Sequence, residues 1–372
     1  MNKKKILTII LIILFIGFVA ERINTNKSDV YEEQNKISIK KNKNMLSMNL
    51  EQTAGAGDYK TVTQSSWPTE GYEFNTELSR CEKGSELSWD DTKKTVIMQG
   101  NVSDKCYVYF DLIPSMTLAE YVISQYTGVQ GENSIYYHNS SLENGAGDNS
   151  YRYAGASDSV NNYICLGSDA TTCPDANLFR IIGVFGDQTK VIRAKSVGDQ
   201  KWNTSKANAW SSSSLNTYLN GEYLTNLGTL ADKIATTTWK VGGGSSTYLY
   251  DVPTTAYQYE VGSSASTTTY EAKIGLMYAS DYGFAASSSA WTTKLSSYSS
   301  NTSKNWLYLG SYEWTISRYS GGTTGAFVVG GSGGVGSDAV TSSCAARPSF
   351  NLESSVKYVS GSGTIENPIR IN

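Results

Sequence analysis

The sequence predicts an α+β protein, with a β-rich C-terminal domain of short strands and a few helices, preceded by a small antiparallel β domain and an N-terminal membrane helix. Two features of the composition lead to this prediction. Aromatic residues make up 12% of the 372 residues, with 26 Tyr, so the chain has enough ring surface to offset the entropy that folding costs. Ser and Thr are abundant whereas Pro is limited to 6 residues, and this balance suits many short strands joined by polar loops.

The chain is predicted to fall into five consecutive segments. These are a signal anchor or signal peptide at 1–20, a stem at 21–57, a small antiparallel β domain at 58–112, a helix and connector at 113–147, and the α+β domain at 148–372. The stem is marked by many charges and few aromatic residues, and the connector is polar and rich in Gly.

The N-terminus has the pattern of an export signal. Lys3 to Lys5 precede the apolar run Ile6–Ala20, and the secretion machinery retains such a basic end inside the cell. As a helix this run would span about 22 Å, less than the ~30 Å hydrocarbon core, which favours a cleaved signal peptide. Phe18 stands where cleavage after Ala20 would need a small side chain, which favours an uncleaved anchor. We predict a single-pass anchor in the cell membrane, with cleavage as the alternative, and in both cases the bulk of the chain is extracellular.

The small domain is indicated by alternating apolar residues separated by turn-forming residues. Its strand-like runs are Gly71–Phe74, Glu86–Trp89, Thr95–Gln99 and Cys106–Leu112. A further run in the stem, Met45–Leu50, could form a first strand. So short a domain buries little surface, so a covalent bridge would compensate.

The chain has 5 cysteines and 1 histidine. Without a C-x-x-C motif and with a single histidine, a structural zinc site is improbable. Export makes disulfides the expected state, and the most economical pairs are Cys81 with Cys106 and Cys165 with Cys173. Cys344 is then left over, either as a buried thiol packed like a small apolar side chain or in an intermolecular disulfide.

Helical spacing predicts a helix at 116–127, with Ser115 as its cap, followed by a polar connector at 128–149. In the C-terminal domain Asn177–Phe185 is apolar on both faces and predicts a central strand, followed by a strand at Lys190–Ala194. Two helical stretches are predicted after Trp210 and over Leu227–Ile234. The segment at 242–269, which is mostly Gly, Ser, Thr and Tyr, is predicted to be a long exposed excursion.

Charge narrows the partners. The net charge is −3, and removing the three N-terminal lysines gives −3 − 3 = −6 for the rest of the chain. Nucleic acid is therefore an unexpected partner, because phosphate binding needs a clustered basic face. The four lysines within 36–43 are interpreted as part of a solvated tether, with a phosphate or lipid-headgroup site as the alternative.

Candidate catalytic groups are few, and no catalytic residue, metal or cofactor is predicted. His138 lies in the predicted connector, outside the main domain and without a G-x-S-x-G elbow, so we interpret it as a surface or hydrogen-bonded structural residue. Scattered acidic residues, Asp148, Asp281 and others, match no EF-hand spacing. The glycine-rich run at 329–336 lacks the Lys of a phosphate-binding loop and is interpreted as a turn between strands.

Three large side chains late in the sequence are candidates for either ligand binding or architecture. They are Trp306, Trp314 and Arg347. A guanidinium that enters an apolar strand, as Arg347 does before Pro348, usually finds a carboxylate or several carbonyl groups.

Several blocks in this part of the chain resemble an uncharacterised domain family. The blocks are Asn149–Tyr153, Asn177–Phe185, Ser214–Asn220, Lys273–Asp281, Trp314–Ser317, Ala346–Leu352 and Gly361–Pro368. The family occurs in exported, membrane-anchored proteins of low-GC Gram-positive-type bacteria, and the resemblance covers about 148–372. It carries no established activity.

The late Trp, Gly-rich and Arg-Pro blocks are also remotely similar to the C-type-lectin-like fold shared with formylglycine-generating enzymes. The chemistry of those enzymes needs a cysteine pair for copper, and Cys344 is the one cysteine in these blocks. This resemblance therefore implies a scaffold and counts against that catalysis.

The expected function is a non-catalytic binding or adhesion module at the cell surface. Tyr, Trp, Ser, Asn and Gly in exposed loops give rigid amphipathic contacts and adaptable hydrogen bonds, which suit a glycan or a protein ligand. Two alternatives come from other classes of protein. One is a hydrolase or oxidase that acts on envelope material, and the other is a structural surface-layer or pilus-like component.

Overall fold

The computed structural model describes residues 37–38, 46–63, 66–68, 71–101, 103–113 and 115–372. The chain divides into two compact units, with the division between Ser115 and Met116. The predicted anchor at 1–20 lies outside the described residues, as does most of the predicted stem at 21–57. Among the helices that are described, none is long and apolar enough to cross a membrane.

The described part of the small unit is built from strands. They are β1 (Ile37–Ser38), β2 (Leu46–Glu51), β3 (Tyr59–Val62), β4 (Tyr72–Phe74), β5 (Arg80–Cys81), β6 (Glu86–Asp90), β7 (Thr95–Gln99) and β8 (Cys106–Leu112). One sheet has the order β3-β2-β8-β4, with β5 also paired to β8, and another has the order β1-β7-β6. The alternation in β8 buries Cys106, Val108 and Phe110, as a sheet with one face on the core requires.

The prediction of a purely antiparallel small domain is wrong in one respect. Strand β2 lies parallel to β8, with Leu46 opposite Cys106 and Leu50 opposite Phe110. Met48 and Leu50 belong to the core of this unit. The segment at 46–51, which the predicted boundaries placed in the stem, is therefore part of its sheet, as the alternative of a strand at Met45–Leu50 predicted. A parallel pair needs a long connection, and the hairpin-like pattern along the sequence does not reveal such a pairing.

The larger unit contains both strands and helices, so the chain is α+β and rich in strands, as predicted. The strands are β9 (Ile135–Tyr137), β10 (Tyr151–Tyr153), β11 (Tyr163–Cys165), β12 (Leu178–Phe185), β13 (Gln188–Arg193), β14 (Asp199–Lys201), β15 (Thr237–Lys240), β16 (Thr269–Ala272), β17 (Ile274–Gly275), β18 (Glu313–Arg318), β19 (Gly325–Val329), β20 (Val335–Ala339), β21 (Ser343–Ala345), β22 (Ser349–Leu352), β23 (Tyr358–Ser360) and β24 (Arg370–Ile371). The α-helices are Leu118–Ser124, Ser214–Tyr218, Leu224–Asn226, Ser246–Leu249, Pro253–Glu260 and Ala279–Phe284, with a π-helical turn at Leu219–Tyr223. Short 3₁₀ segments lie at Glu132–Ser134, Trp210–Ser212, Gly228–Lys233, Ser288–Ala290 and Leu295–Lys304.

The main sheet of the larger unit has the order β17-β22-β13-β12-β10-β9, with β11 also paired to β12. Strand β12 is buried along nearly its whole length, which confirms the prediction of a central strand. Gly183 lies at a bulge in β12, opposite Arg152 of β10. A Cβ atom at Gly183 would lie 2.2 Å from the carbonyl oxygen of Tyr151, so glycine is what allows β10 to approach.

A second sheet has the order β14-β21-β18-β19-β20. The glycine-rich run after Val329 forms the turn between β19 and β20, as predicted. Buried apolar side chains from both sheets belong to one cluster, which includes Phe179, Trp239, Trp314 and Phe350. Two-stranded ribbons, β15-β16 and β23-β24, complete the strand pairing.

The first helix, Leu118–Ser124, is capped differently from the prediction. The cap is Thr117 rather than Ser115, because the Thr117 hydroxyl accepts from the backbone N–H of Glu120 while the Glu120 carboxylate accepts from the N–H of Thr117. This is a capping box. Leu118 and Val122 are buried, so the helix packs within the larger unit.

The prediction of a long exposed excursion at 242–269 is wrong. Two helices lie there, Ser246–Leu249 and Pro253–Glu260, and they bury Leu249, Ala256 and Glu260. Pro253 stands in the first turn, where its missing N–H costs nothing. The low hydrophobicity of this segment concealed the helices, because their buried face is narrow.

Candidate functional site

A groove of about 570 Å³ lies in the larger unit, between the loop closed by Cys165 and Cys173 and the ribbon formed by β23 and β24. We call it the disulfide groove. Its volume falls within the roughly 300–1,000 Å³ typical of ligand sites. The two cysteines form the disulfide that the sequence predicts, as do Cys81 and Cys106 in the small unit.

The wall of the disulfide groove is fixed from two sides. The guanidinium of Arg370 donates to the carbonyl oxygens of Ser168 at 2.7 Å, Ala170 at 2.8 Å and Thr171 at 3.3 Å. On the other side of the loop, the amide of Asn177 donates to the carbonyl of Leu166 at 2.7 Å. The loop is therefore held in shape before any ligand arrives, which lowers the entropic cost of binding.

The groove combines an apolar strip with charges of both signs. Val359 is 58% exposed and lines the groove together with Leu230 and Ile371. Asp169, Glu366, Lys233 and Arg370 also line it. None of the described residues that line the groove is aromatic, so it offers no ring on which a sugar could stack.

A second cavity, of about 180 Å³, has a different character. Its lining includes four aromatic residues, Phe185, Trp239, Tyr257 and Tyr278, and five charged ones, Asp148, Arg152, Lys190, Lys240 and Asp281. We call it the ionic cavity. Gly275 lets β17 approach Trp239 closely, because a Cβ atom there would lie 2.8 Å from the indole ring.

Four of these charged side chains form a chain of alternating sign. Arg152 Nη2 lies 2.6 Å from Asp148 Oδ2, and its Nη1 lies 3.6 Å from Asp281 Oδ1. Lys190 Nζ lies 2.5 Å from Asp281 Oδ2, which also accepts from the backbone N–H of Tyr278 at 2.9 Å. Arg152, Lys190 and Asp281 are buried, so each charge depends on its partner.

The carboxylates of the ionic cavity are poorly suited to acid catalysis. Burial opposes the ionisation of Asp148, but the charge of Arg152 and hydrogen bonds from Ser150 outweigh it and lower the pKa of Asp148 to about 2. A glycosidase needs one carboxyl with a raised pKa to act as a general acid. Asp281 is held by Lys190, whose own pKa is lowered by burial despite that contact. Asp148 and Asp281 therefore do not resemble the free acid and base of a glycosidase.

The three large side chains singled out by the sequence are all buried away from both cavities. The indole N–H of Trp306 donates to the carbonyl of Tyr153 at 2.9 Å, and that of Trp314 donates to the carbonyl of Gln200 at 2.8 Å. Arg347 is paired with Glu313. All three side chains therefore make contacts inside the fold, as the architectural one of their two predicted roles requires.

His138 and Cys344 also lie inside the larger unit. The interpretation of His138 as part of a connector outside the main domain is wrong, because its ring is fully buried between Phe284 and Trp291. Its Nδ1 accepts from the N–H of Ala146 at 3.0 Å. Cys344 is a buried free thiol, as the first of its two predicted states requires. Burial raises the pKa of this thiol to about 12, so it stays protonated.

Sequence reasoning did not assemble either cavity. One signal was available for the ionic cavity, since Arg152 stands between two tyrosines and Lys190 precedes Val and Ile in strands that read as buried. Charges in such places need partners. Nothing local indicates that Asp281 is one of them. In the described part of the chain, no group of three or more His, Cys, Asp or Glu side chains could hold a metal ion.

Comparison of the chain with models of protein families, with curated proteins and with solved structures found no match in any of the three.

Proposed function

We propose that the larger unit is the recognition module of an exported, membrane-tethered protein and that it binds an extended segment of a partner protein in the disulfide groove. The observation that carries this proposal is the groove itself, which is fixed in shape and presents a largely exposed Val359 between charges of both signs. The module is non-catalytic.

The composition of the groove favours a polypeptide over a sugar. An apolar strip can take the side chains of a bound segment, while Lys233 on one hand and Asp169 and Glu366 on the other can pair with charges of either sign along it. A segment that is partly apolar and carries mixed charges therefore suits the site, and such contacts at a groove are typical of peptide recognition.

Export is supported by the cysteines as well as by the N-terminal pattern. Both units contain a disulfide, and disulfides persist in oxidising compartments. Cys344 is withdrawn from exchange by burial. This arrangement suits a protein that works outside the cell.

The absence of catalysis is supported by the state of the reactive groups. His138, the one histidine of the chain, is fully buried, and Cys344 is buried and protonated. Neither lines the disulfide groove or the ionic cavity. A nucleophile that acts on a bound ligand needs a base within reach, and neither His138 nor Cys344 lines a cavity in which it could serve as one.

The test is a selection from a random peptide display library on the purified chain, followed by variants. Val359→Asp places a charge in the apolar strip and should weaken the selected peptides at least about tenfold. Val129→Asp is the matched control, because Val129 is 59% exposed and lies outside the groove. A selection without binders, or equal effects of the two substitutions, would contradict the proposal.

A glycan bound in the ionic cavity is the second candidate. The specific observation in its favour is the set of four aromatic residues around a space of about 180 Å³, which suits a single ring-sized group. Binding on a glycan array that survives Val359→Asp would support this candidate and not the groove.

A further inference from the structure

The contact between Lys190 and Asp281 combines close approach with burial. Nζ of Lys190 lies 2.5 Å from Oδ2 of Asp281, and the two side chains are 7% and 3% exposed. The rings of Tyr278, Trp239 and Phe185 surround the ammonium, with centroids 4.7, 5.5 and 5.7 Å from Nζ. The amine and the carboxyl group therefore meet in a buried site, with aromatic rings around the amine.

Lys190 and Asp281 are both fixed in position by secondary structure. Lys190 lies on β13, where it is paired with Asn351 of β22 and Gly183 of β12. Asp281 lies in the first turn of the helix Ala279–Phe284, and its Oδ2 is bound by the N–H of Tyr278. Groups held together in this way react with effective concentrations that reach roughly 10⁵–10⁸ M.

The charges around the pair would remain balanced if it became neutral. Two cations, Arg152 and Lys190, face two anions, Asp148 and Asp281. Loss of the charges on Lys190 and Asp281 leaves Arg152 with Asp148, which are already 2.6 Å apart. A buried ion pair pays a large desolvation penalty, and a neutral amide removes it.

We propose that Lys190 and Asp281 condense in the folded protein to form an intramolecular amide bond. The ammonium first gives one proton to the carboxylate. The amine nitrogen then attacks Cγ of Asp281, so that a C–N bond forms and a tetrahedral intermediate results. One C–O bond breaks when this intermediate collapses to the amide. Of the three ammonium protons, two leave with the departing oxygen as one water molecule and one stays on the amide nitrogen, so no oxidant or further reactant is needed.

The surroundings assist this step. The guanidinium of Arg152 faces Oδ1 of Asp281 and the N–H of Tyr278 faces Oδ2, so the negative charge of a tetrahedral intermediate meets fixed donors. Burial lowers the pKa of Lys190, which increases the fraction of free amine. The nearby carboxylate of Glu260 is not a proton relay, because it already accepts from the N–H groups of Ala279 and Ser280 and from the Ser317 hydroxyl.

The bond would tie β13 of the main sheet to the helix Ala279–Phe284. A covalent link at this point closes a loop from residue 190 to residue 281 and resists separation of the two elements.

Mass spectrometry of the purified full-length chain tests the proposal. After reduction of the disulfides, the intact mass should be lower than the sequence mass by one water, and a proteolytic digest should contain a branched peptide that joins residues 190 and 281. The exposed pair Lys195 and Asp175 is an internal control, because it has the same 2.5 Å contact but side chains that are 63% and 67% exposed. It should give separate, unlinked peptides.

Substitutions at the two residues test whether the loss of mass comes from this amide bond. Asp281→Asn should form the same link with loss of ammonia instead of water, and Lys190→Met should show its full sequence mass. Full sequence mass in the folded wild-type chain, with residues 190 and 281 in separate peptides, would overturn the proposal. A loss of water that maps elsewhere in the chain would overturn it as well.

Discussion

The guanidinium of Arg347 donates two hydrogen bonds to the Glu313 carboxylate, with Nε 2.7 Å from Oε1 and Nη2 2.8 Å from Oε2. Both side chains are almost fully buried. Nη2 also donates to the carbonyl oxygen of Leu307 at 2.5 Å. The pair joins β18 to the segment that follows β21, in the interior of the larger unit.

Removing one partner of this pair should destabilise the larger unit strongly. Arg347→Met leaves Glu313 buried without its counter-charge, and burial already raises the pKa of Glu313. Breaking such a pair costs about 3–5 kcal/mol. The measurement is the free energy of unfolding in urea.

The exposed pair Lys195 and Asp175 provides the control for this measurement. Its side chains are 63% and 67% exposed, so Lys195→Met should change the free energy of unfolding by at most about 1 kcal/mol. Adding Glu313→Leu to Arg347→Met should recover part of the loss, because no buried charge then remains. Equal effects of Arg347→Met and Lys195→Met would show that the buried pair is not a stabilising contact.

The stability of the larger unit should fall as the pH drops below about 6.5, because of His138. Burial, followed by the charge of Arg152, holds the pKa of His138 well below its usual value, while Asp148 opposes this. The unfolded chain takes up a proton near pH 6.5 and the folded protein does not, so stability is full above that pH and declines below it. The slope should approach about 1.4 kcal/mol per pH unit, the value for one proton.

His138→Asn isolates this contribution, because an amide oxygen can still accept from the N–H of Ala146 and does not titrate. The free energy of unfolding should be measured for both proteins between pH 8 and 5. The decline that His138 causes below about pH 6.5 should appear in the wild-type chain and be absent from the variant. The window lies above the range where Asp148, with a pKa of about 2 in the fold, changes its charge. Identical pH profiles for the two proteins would contradict the assignment. As 1 His is present in the chain, no other imidazole can produce the effect.

The predictions that the structure confirms were based on local sequence patterns. The central strand at Asn177–Phe185 and the turn after Val329 follow from runs of residues that are adjacent in the sequence. The cysteine pairs could be predicted because each closes a short loop. In all of these, the deciding residues are close together along the chain.

The features that could not be predicted depend on contacts between distant residues. Strand β2 reaches β8 across an intervening run of more than 50 residues, and Asp281 meets a lysine with a sequence separation of 91. The disulfide groove is formed by segments near residues 170, 230 and 360–372. The periodicity of the sequence does not indicate these long-range contacts, because each segment has an ordinary local pattern. The buried helix Pro253–Glu260 was missed for a related reason, since its buried face is completed by other elements.

Removing the Cys165–Cys173 bridge should open the disulfide groove. Cys165→Ala with Cys173→Ala should lower the free energy of unfolding of the larger unit by roughly 2–3 kcal/mol, the chain-entropy value for a short loop. The same variant should weaken groove-bound peptides, because only the hydrogen bonds of Arg370 and Asn177 then hold the loop. The bridge of the small unit gives the comparison: Cys81→Ala with Cys106→Ala should leave peptide affinity unchanged. Unchanged affinity in the first variant would mean that the disulfide does not shape the groove.

The thiol of Cys344 should be inert in the folded protein and reactive after unfolding. Cys344 is buried, and burial, with smaller effects of the carboxylates of Asp338 and Asp199, raises the pKa of the thiol to about 12. Because the thiolate is the reactive form, a thiol-specific reagent should modify no cysteine in native conditions and one in denaturant without reductant. Cys344→Ser is the control that should give no labelling in either condition. Rapid labelling of the native wild-type chain, or two-chain species that disappear with Cys344→Ser, would indicate an accessible thiol instead.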